Sequence, residues 1–419
     1  MVYAFYNVAT SLAAPFGAAW LALGSKHRRL LGRFAPPVPV SHGKPLWVQA
    51  CSVGEVGTAK QLIRAMRQRW PEIPVALTVS TASGYDLAGS ACPDASLTWF
   101  PFDHPYVVRR FVRGLAPRAL ILIETEIWPN VLREAHRNGV AVVLVNGRLS
   151  DKHIGRYQRF GLLFRRVLSH LSAAGMQNEE YAERLKSLGA DPARVHVTGN
   201  TKFDGVLTEV DPERLARLRS ETGLIPGEPV VVFGSTRPGD ETLAASCWRT
   251  LRDAFLGLRL VVAPRHLERV GEAVSAFDEP VLRRSETAQG RRRGGEKVIV
   301  LDTVGELAAF YALATLVVIG GSFYPGVNGH NPIESAALGV STVFGPYMRN
   351  FVDPARELLA RGGAVQVERP EGLLPVLMRL LGDSQERARI GAHGREAVLA
   401  NQGATERNLD LIARVSGLG

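Results

Sequence analysis

Two hydrophobic periods alternate along this chain. From residue 45 onward, short runs that are apolar at nearly every position are each followed by a stretch with apolar residues at helical spacing. The runs are PLWVQAC (45–51), PVALTVS (74–80), LTWF (97–100), RALILIE (118–124), VAVVLVN (140–146), SAAGM (172–176) and RVHVTGN (194–200). Continuous apolar runs of this length, β-branched and spaced by one helix, predict parallel strands covered on both faces. Helices are expected over 104–116, 129–138, 151–170 and 178–188. The pattern lapses across 207–229, where one helix is expected, and then restarts. VVVFGST (230–236), LRLVVAP (258–264), KVIVLDT (297–303), TLVVIGG (315–321), STVFGP (341–346) and GAVQVE (363–368) form a second set of strands, and roughly the last 50 residues read as helical.

The pattern therefore predicts an α/β protein with two doubly wound, Rossmann-like domains in tandem. The expected divisions are a leading segment at 1–33, a first domain at 34–207, a linker at 208–228 and a second domain at 229–419. In such sheets ligands bind at the carboxyl ends of strands near the point where strand order reverses. A cleft between two such domains is the expected active site.

Residues 3–24, YAFYNVATSLAAPFGAAWLALG, contain no charged side chain, and SKHRRLLGR (25–33) follows at once. About 20 apolar residues cross a bilayer, so the length suffices, but Asn7, Thr10, Ser11, Pro15 and Gly17 weaken the stretch. The basic cluster follows the apolar part, which disfavours a cleaved signal peptide. A spanning helix, a helix lying in the interface and a buried helix all remain open, with membrane association favoured. The basic cluster would lie on the cytoplasmic side.

Length and charge narrow this picture modestly. The chain has 419 residues, enough for two domains, and Lys plus Arg outnumber Asp plus Glu by 50 to 40, giving a formal net charge of +10. That excess suits nucleic acid, an anionic membrane or a phosphorylated substrate without choosing among them. The three cysteines, Cys51, Cys92 and Cys247, are far apart, so neither a disulfide framework nor a structural zinc site is expected.

The unusual residues fall just after the expected strands. SVGEVG (52–57) has the strand–glycine–helix form of a phosphate loop, yet it carries Glu55, whose negative charge would oppose a phosphate. A carboxylate there suits either proton abstraction from a hydroxyl or an interaction with the helix dipole. ETEIWPN (124–130) puts Glu124 and Glu126 on one side of a strand end, where like charges need a cationic partner or water. Lys202, in TGNTKFD (198–204), is one candidate partner. In the second half, Ser235 and Thr236 of FGSTRPGDE (233–241) could hold a phosphate at a helix N-terminus, with no carboxylate before the turn. Arg265 follows a strand, where it could clamp phosphate. Asn331, Pro332 and Glu334 read as N-cap, first and third positions of a helix. Glu334 could cap that helix or accept from ribose hydroxyls. No Walker loop, GxGxxG fingerprint, HExxH or GxSxG occurs, which disfavours nicotinamide chemistry, ATP hydrolysis and serine hydrolysis.

Taken in order, SVGEV, ETEIWPN, NGRLS (146–150), QNEE (177–180), TGNTKFD, GST (234–236), APRH (263–266), GEL (305–307), GGS (320–322), GHNPIE (329–334) and FGP (344–346) resemble the bacterial 3-deoxy-D-manno-octulosonic acid (Kdo) transferases over nearly the full chain. The resemblance implies a GT-B fold and an N-terminal apolar anchor on the cytoplasmic face of the inner membrane. It implies transfer of Kdo from CMP-Kdo to a lipid A precursor, with inversion and with no nucleic-acid partner. Glu55 would be the general base, with Glu126 and Lys202 beside the reacting centre. Ser235 and Thr236, together with Pro264, Arg265, Gly305, Glu306, Leu307, Asn331, Pro332, Ile333 and Glu334, would line the CMP site. A monophosphate leaving group requires neither a cofactor nor a metal. Arg237–Pro238 stand where many relatives have His–Glu. Two other classes stay open: an envelope glycosyltransferase that uses a UDP-sugar, and a non-catalytic nucleotide-binding protein at the membrane.

Overall fold

The computed structural model describes every residue except Met1, Ser25, Lys26, Ser150, Arg292 and Gly419. The first two residues of the basic cluster and the last of the NGRLS motif thus lie outside the described residues. The chain divides into two compact units, Met1–Gly205 with Asn401–Gly419, and Val206–Ala400.

The first unit is built on seven parallel strands: β1 (Leu46–Ala50), β2 (Val75–Val79), β3 (Ser96–Trp99), β4 (Ala119–Ile123), β5 (Ala141–Gly147), β6 (Ala173–Met176) and β7 (Val195–Val197). Their order is β3-β2-β1-β4-β5-β6-β7. Leu46 of β1 pairs with Val75 on one side and Ala119 on the other, so the order reverses at β1 and β4. Alternate residues of β1 feed separate cores. Trp47 joins Phe100, Phe111 and Leu120, whereas Leu46, Val48 and Ala50 join Val56, Leu62 and Ile121. The helices are α1 (Val2–Leu23), α2 (Val53–Arg69), α3 (Ala82–Ala91), α4 (Pro105–Leu115), α5 (Pro129–Arg137), α6 (Asp151–Arg159), α7 (Gly161–Leu168) and α8 (Glu179–Ser187). The single helix expected over 151–170 is broken between α6 and α7, because Phe160 leaves the helical region (φ −110°, ψ 31°) and Gly161 follows it.

The sequence boundary at residue 33 does not appear in the structure. One side of α1 rests on the first unit, with the Tyr6 hydroxyl donating to Asp103 at 2.8 Å and the Arg133 guanidinium 4.6 Å from the centre of the Tyr3 ring. Arg28–Phe34 forms a 3₁₀ run in which Arg29 pairs with Asp86 at 2.6 Å. Among the described residues no helix is long and apolar enough to cross a membrane.

The second unit opens with α9 (Pro212–Thr222), the helix expected in the connector. It has its own sheet of β8 (Val230–Thr236), β9 (Arg259–Pro264), β10 (Val281–Arg283), β11 (Val298–Val300), β12 (Leu316–Ile319), β13 (Ser341–Phe344) and β14 (Val365–Gln366). The order is β10-β11-β9-β8-β12-β13-β14, which reverses at β8 and β12. The sequence pattern missed β10. Its three residues run straight into a helix at Arg284, too few to show a period.

The final helix, Ala404–Ser416, corrects the sequence reading that placed it with the second domain. Asp204 accepts the backbone N–H groups of Gly403 and Thr405 at 2.7 and 2.5 Å, and that of Ala404 at 3.2 Å. These are the orphan donors of a helix N-terminus. Leu409 and Ile412 are fully buried in the first unit's core, and the Thr198 hydroxyl donates to Asn408 at 3.0 Å. Asp204 of the TGNTKFD motif thus has a structural task.

Candidate active site

In the first unit, the reversal of strand order places the loops after β1 and β4 side by side, and both unusual acidic motifs occupy them. Ser52 caps α2, accepting the Glu55 N–H at 3.5 Å. The Glu55 carboxylate turns back, taking the Cys51 N–H at 2.6 Å and the Ser52 hydroxyl at 3.2 Å. The carboxylate closes on the N–H just before the cap rather than on that of the cap residue, a variant of the capping box, so the helix-terminus role open to Glu55 in the sequence is realised. Glu126 is held from two directions. The Trp128 indole N–H donates to it at 2.9 Å and the Gln49 amide at 3.2 Å. Ligand atoms of Cys51, Glu55 and Glu126 lie within 4.8 Å of one another.

Two half-buried carboxylates this close cannot both ionise freely. Burial, and then the charge of Glu126, pushes Glu55 up to about 8. Burial with the same carboxylates lifts the Cys51 thiol to about 12. Burial beside Glu126 holds Glu55 near its neutral form at moderate pH, which gives the trio a proton-handling character.

A nearby cation is one that the sequence reading assigned to the membrane. The Arg33 guanidinium is 5.6 Å from the centre of the Trp128 ring, and its Nε donates to the Phe100 carbonyl at 3.1 Å. Burial lowers its pKa, while the nearby carboxyl groups of Glu126 and Asp103 oppose that shift. Arg33 therefore sits inside the fold beside the acidic pair. Gln49 is a second residue missed from sequence, although a fully buried amide in the middle of PLWVQAC was a visible interruption of an apolar run.

Lys202 lies on the 3₁₀ turn Thr201–Phe203 after β7. That turn is fixed by buried amides. Gln177 donates to the Asn146 carbonyl at 3.0 Å, Asn200 donates to Gln177 at 3.1 Å, and Asn146 and Asn200 accept the N–H groups of Thr201 and Lys202 at 3.1 and 3.0 Å. The NGRLS and QNEE motifs thus meet TGNTKFD through side-chain amides. Non-glycine residues with positive φ stand at the carboxyl ends of three strands, Glu124 (59°), Asn146 (53°) and Ser235 (56°). This conformation costs about 1 kcal/mol or more per residue and concentrates at functional sites.

In the second unit the predicted donor residues lie at the carboxyl ends of β8 and β9 and in the segments after β9, β11 and β12. The structure alters two of those expectations. The helix after β8 is α10 (Asp240–Ala254), and its first turn holds two buried acids, Asp240 and Glu241. Asp240 accepts the N–H groups of Gly321 and Arg237 at 2.6 and 2.8 Å. Burial raises it to about 6. Thr236 is fully buried and donates to Glu241 at 2.8 Å, and Arg269 closes on the same carboxylate at 2.9 and 3.1 Å. The expected phosphate-binding helix end is therefore filled by protein carboxylates, and the Thr236 hydroxyl faces inward. Glu306 is likewise committed, bonding Arg284 at 2.8 Å and the Thr303 hydroxyl. Glu306 takes the cap position of the helix Leu307–Leu313, with Gly305 (φ 89°) just before it.

Other predicted residues do converge. The charge of Arg265 is felt by both Glu334 and His330. Burial raises Glu334 above the usual carboxylate range, and burial followed by Arg265 and Arg237 lowers His330 to about 4. Asn331 accepts the Ile333 N–H at 3.0 Å and donates to Glu334 at 3.1 Å. The helix begins at Ile333, one residue later than expected, because Asn331 caps from two residues back and Pro332 takes the cap position. Pro264, Pro332 and Ile333 are buried, which leaves Arg265, Asn331 and Glu334 to present side chains. His330, missed as a site residue, joins Arg237. A Cβ at Gly321 would stand 3.1 Å from one and 3.3 Å from the other. The result is a cationic surface with one ribose-compatible carboxylate.

Comparisons of sequence point to one family. The profile of 3-deoxy-D-manno-octulosonic-acid transferase (kdotransferase) matches residues 26–205. A 3-deoxy-D-manno-octulosonic acid transferase from Bordetella pertussis is 32% identical over 97% of this chain and 98% of its own. One from Rickettsia felis is 31% identical over 90% and 81%. Among solved structures, a glycosyltransferase from Rickettsia africae superposes with a TM-score of 0.58 at 10% identity, covering 90% of this chain and 99% of that one. That likeness speaks for the two-domain fold alone.

Proposed function

The chain belongs to the 3-deoxy-D-manno-octulosonic acid (Kdo) transferase family, and we propose that it moves Kdo from CMP-Kdo to a hydroxyl of a lipid A precursor with release of CMP. Membership places it among glycosyltransferases of lipopolysaccharide synthesis. The donor, the acceptor and the assignment of the base are our reading. The observation that carries it is Glu55, a half-buried carboxylate pushed up to about 8 at the carboxyl end of β1. A base works best when its pKa lies near the working pH.

In this reading the ionised Glu55 leaves its capping bonds and takes the proton of the acceptor hydroxyl. That oxygen forms the new bond to the anomeric carbon from the face opposite the leaving group, so configuration inverts. The bond from the anomeric carbon to the phosphate oxygen breaks, and its electron pair leaves with CMP. Arg265 balances the charge that grows on the phosphate, Glu334 accepts from the ribose hydroxyls, and Glu126 with Lys202 orders the reacting centre. Because the acceptor is a membrane lipid, we place the protein at the cytoplasmic face of the inner membrane.

The test is to incubate the protein with a lipid A precursor and freshly made CMP-Kdo and to weigh the product. A mass gain of one or more Kdo residues supports the reading. Tight binding of UDP with none of CMP would sink it and favour a UDP-sugar donor.

A further inference from the structure

The surface around α1 carries chemistry that sugar transfer leaves unused. Phe5, Val8, Leu12, Phe16, Trp20 and Leu23 are all exposed, Phe16 by 77% and Trp20 by 64%. Their spacing of three or four residues puts them along one helical face. The opposite face is fastened to the first unit through Tyr3, Tyr6 and Ser11, with Ser11 meeting His104 at 3.1 Å. A helix held along one side by protein cannot be ringed by acyl chains, so the exposed stripe suits a helix lying flat in an interface.

Beside α1 lies a cavity of about 400 Å³, lined by Asn7 of α1, Arg109 and Arg113 of α4, and Arg133, Glu134 and Arg137 of α5. Four guanidinium groups there face one carboxylate. Glu134 is 3.7 Å from Arg113 and 4.0 Å from Arg137, beyond hydrogen-bonding reach, so these arginines keep donors for another acceptor. Burial first, and then His136 and the guanidinium groups of Arg166, Arg133 and Arg137, hold His170 down to about 4.

We propose that this arginine basin binds the phosphate of an anionic bilayer phospholipid, with α1 lying in the plane of the interface beside it. The charge complementarity is direct, because guanidinium forks match phosphate oxygens. One feature favours a bilayer lipid over the glycolipid acceptor. The basin runs along the flanks of α4 and α5, where Arg137 stands about 12 Å along the helix from Pro129 at 1.5 Å per residue. The proposal extends the membrane location given above but needs neither donor nor acceptor.

Flotation of the full chain with vesicles of phosphatidylcholine alone, or mixed with phosphatidylglycerol, tests it. Arg133→Gln with Arg137→Gln should lower partitioning onto the anionic vesicles on the order of 30-fold, roughly fivefold per basic residue at such a surface. Binding to phosphatidylcholine should not change. Arg217→Gln with Arg283→Gln, an exposed pair of equal charge elsewhere, should have little effect; an equal loss there would overturn the basin in favour of net charge. Phe16→Ser with Trp20→Ser should weaken binding to both vesicle types, and undiminished binding would overturn the in-plane helix. If the first pair fails to fold, Arg109→Gln with Arg113→Gln reads the same basin from α4. A third result also overturns the proposal: vesicle binding retained while turnover of detergent-dispersed acceptor is lost, which would assign the basin to the glycolipid. Wild-type turnover in that detergent assay reports on sugar transfer independently.

Discussion

Arg33 lies 5.6 Å from the centre of the Trp128 ring, and the indole N–H of the same tryptophan holds Glu126 at 2.9 Å. One residue from the N-terminal basic cluster is thus built into the electrostatics of the acidic centre. Arg33→Gln should lower kcat by tenfold or more and cost about 1–3 kcal/mol of stability, the scale of a desolvated cation–π contact with its hydrogen bond. Arg33→Lys should recover little, because an ammonium neither stacks on the indole nor spans the Phe100 carbonyl as a planar fork does. Turnover and thermal unfolding measured on the same samples check this. Wild-type turnover in the glutamine variant would return Arg33 to a membrane role.

The coupling between Glu55 and Glu126 predicts a pH profile. With Glu55 raised to about 8 by burial and by the Glu126 charge, kcat/KM should climb with pH and level off above about 8. Glu126→Gln removes the like charge, so the climb should move to lower pH even if the plateau falls. Glu55→Gln should cost about 10²–10⁴ in kcat while the protein stays folded, and near neutral pH it should be no less stable than wild type, since the amide does not titrate. An unmoved acid limb in Glu126→Gln would mean that another group sets the profile.

In the second unit the prediction separates a residue that sequence and structure agree on from one on which they part. Arg265→Ala should raise the KM for the donor, by roughly tenfold or more for a lost charged phosphate contact. Thr236→Val should leave that KM unchanged and cost about 1 kcal/mol of stability, because its buried hydroxyl serves Glu241. Donor titrations and denaturant unfolding of both variants decide between the roles.

These cases show what the sequence could reveal. Parallel strands were legible because burial on both faces leaves apolar residues at nearly every position, as in Leu46–Ala50 and Ala119–Ile123. Glu55 and Glu126 were legible as carboxylates breaking such runs at strand ends. The side chains of Thr236 and Glu306 could not be read, because their direction depends on partners distant in sequence, such as Arg269 and Arg284. Arg33 was hidden for the opposite reason. In sequence it is one of several neighbouring arginines, and only packing against Phe100 and Trp128 distinguishes it. The final helix followed local composition into the second domain, while Asp204, some 200 residues earlier, draws its N-terminus to the first.

The last prediction concerns stability rather than turnover. Asp103 is buried, accepting from Tyr6 at 2.8 Å and from the Asn130 and Val131 N–H groups at 3.1 and 2.9 Å. It fastens α1 and caps α5 at once. Burial outweighs those bonds and raises it from 3.8 to about 6. The folded state therefore binds the proton more tightly than the unfolded chain does. The resulting stabilisation is fully present below about 4 and is lost as pH rises through 6. A shift of about two units corresponds to roughly 3 kcal/mol. Asp240 adds a contribution of the same sign over the same window, whereas that of Glu55 extends up to about 8. Asp103→Asn should reduce the loss of stability between about pH 4 and 6 without abolishing it. Below about pH 4 it should lower stability by about 1–3 kcal/mol, because an amide cannot accept all three donors, and this deficit should shrink as pH rises through 6. Denaturant unfolding across that range measures both effects, and an unchanged slope in the variant would show that Asp103 is ionised throughout.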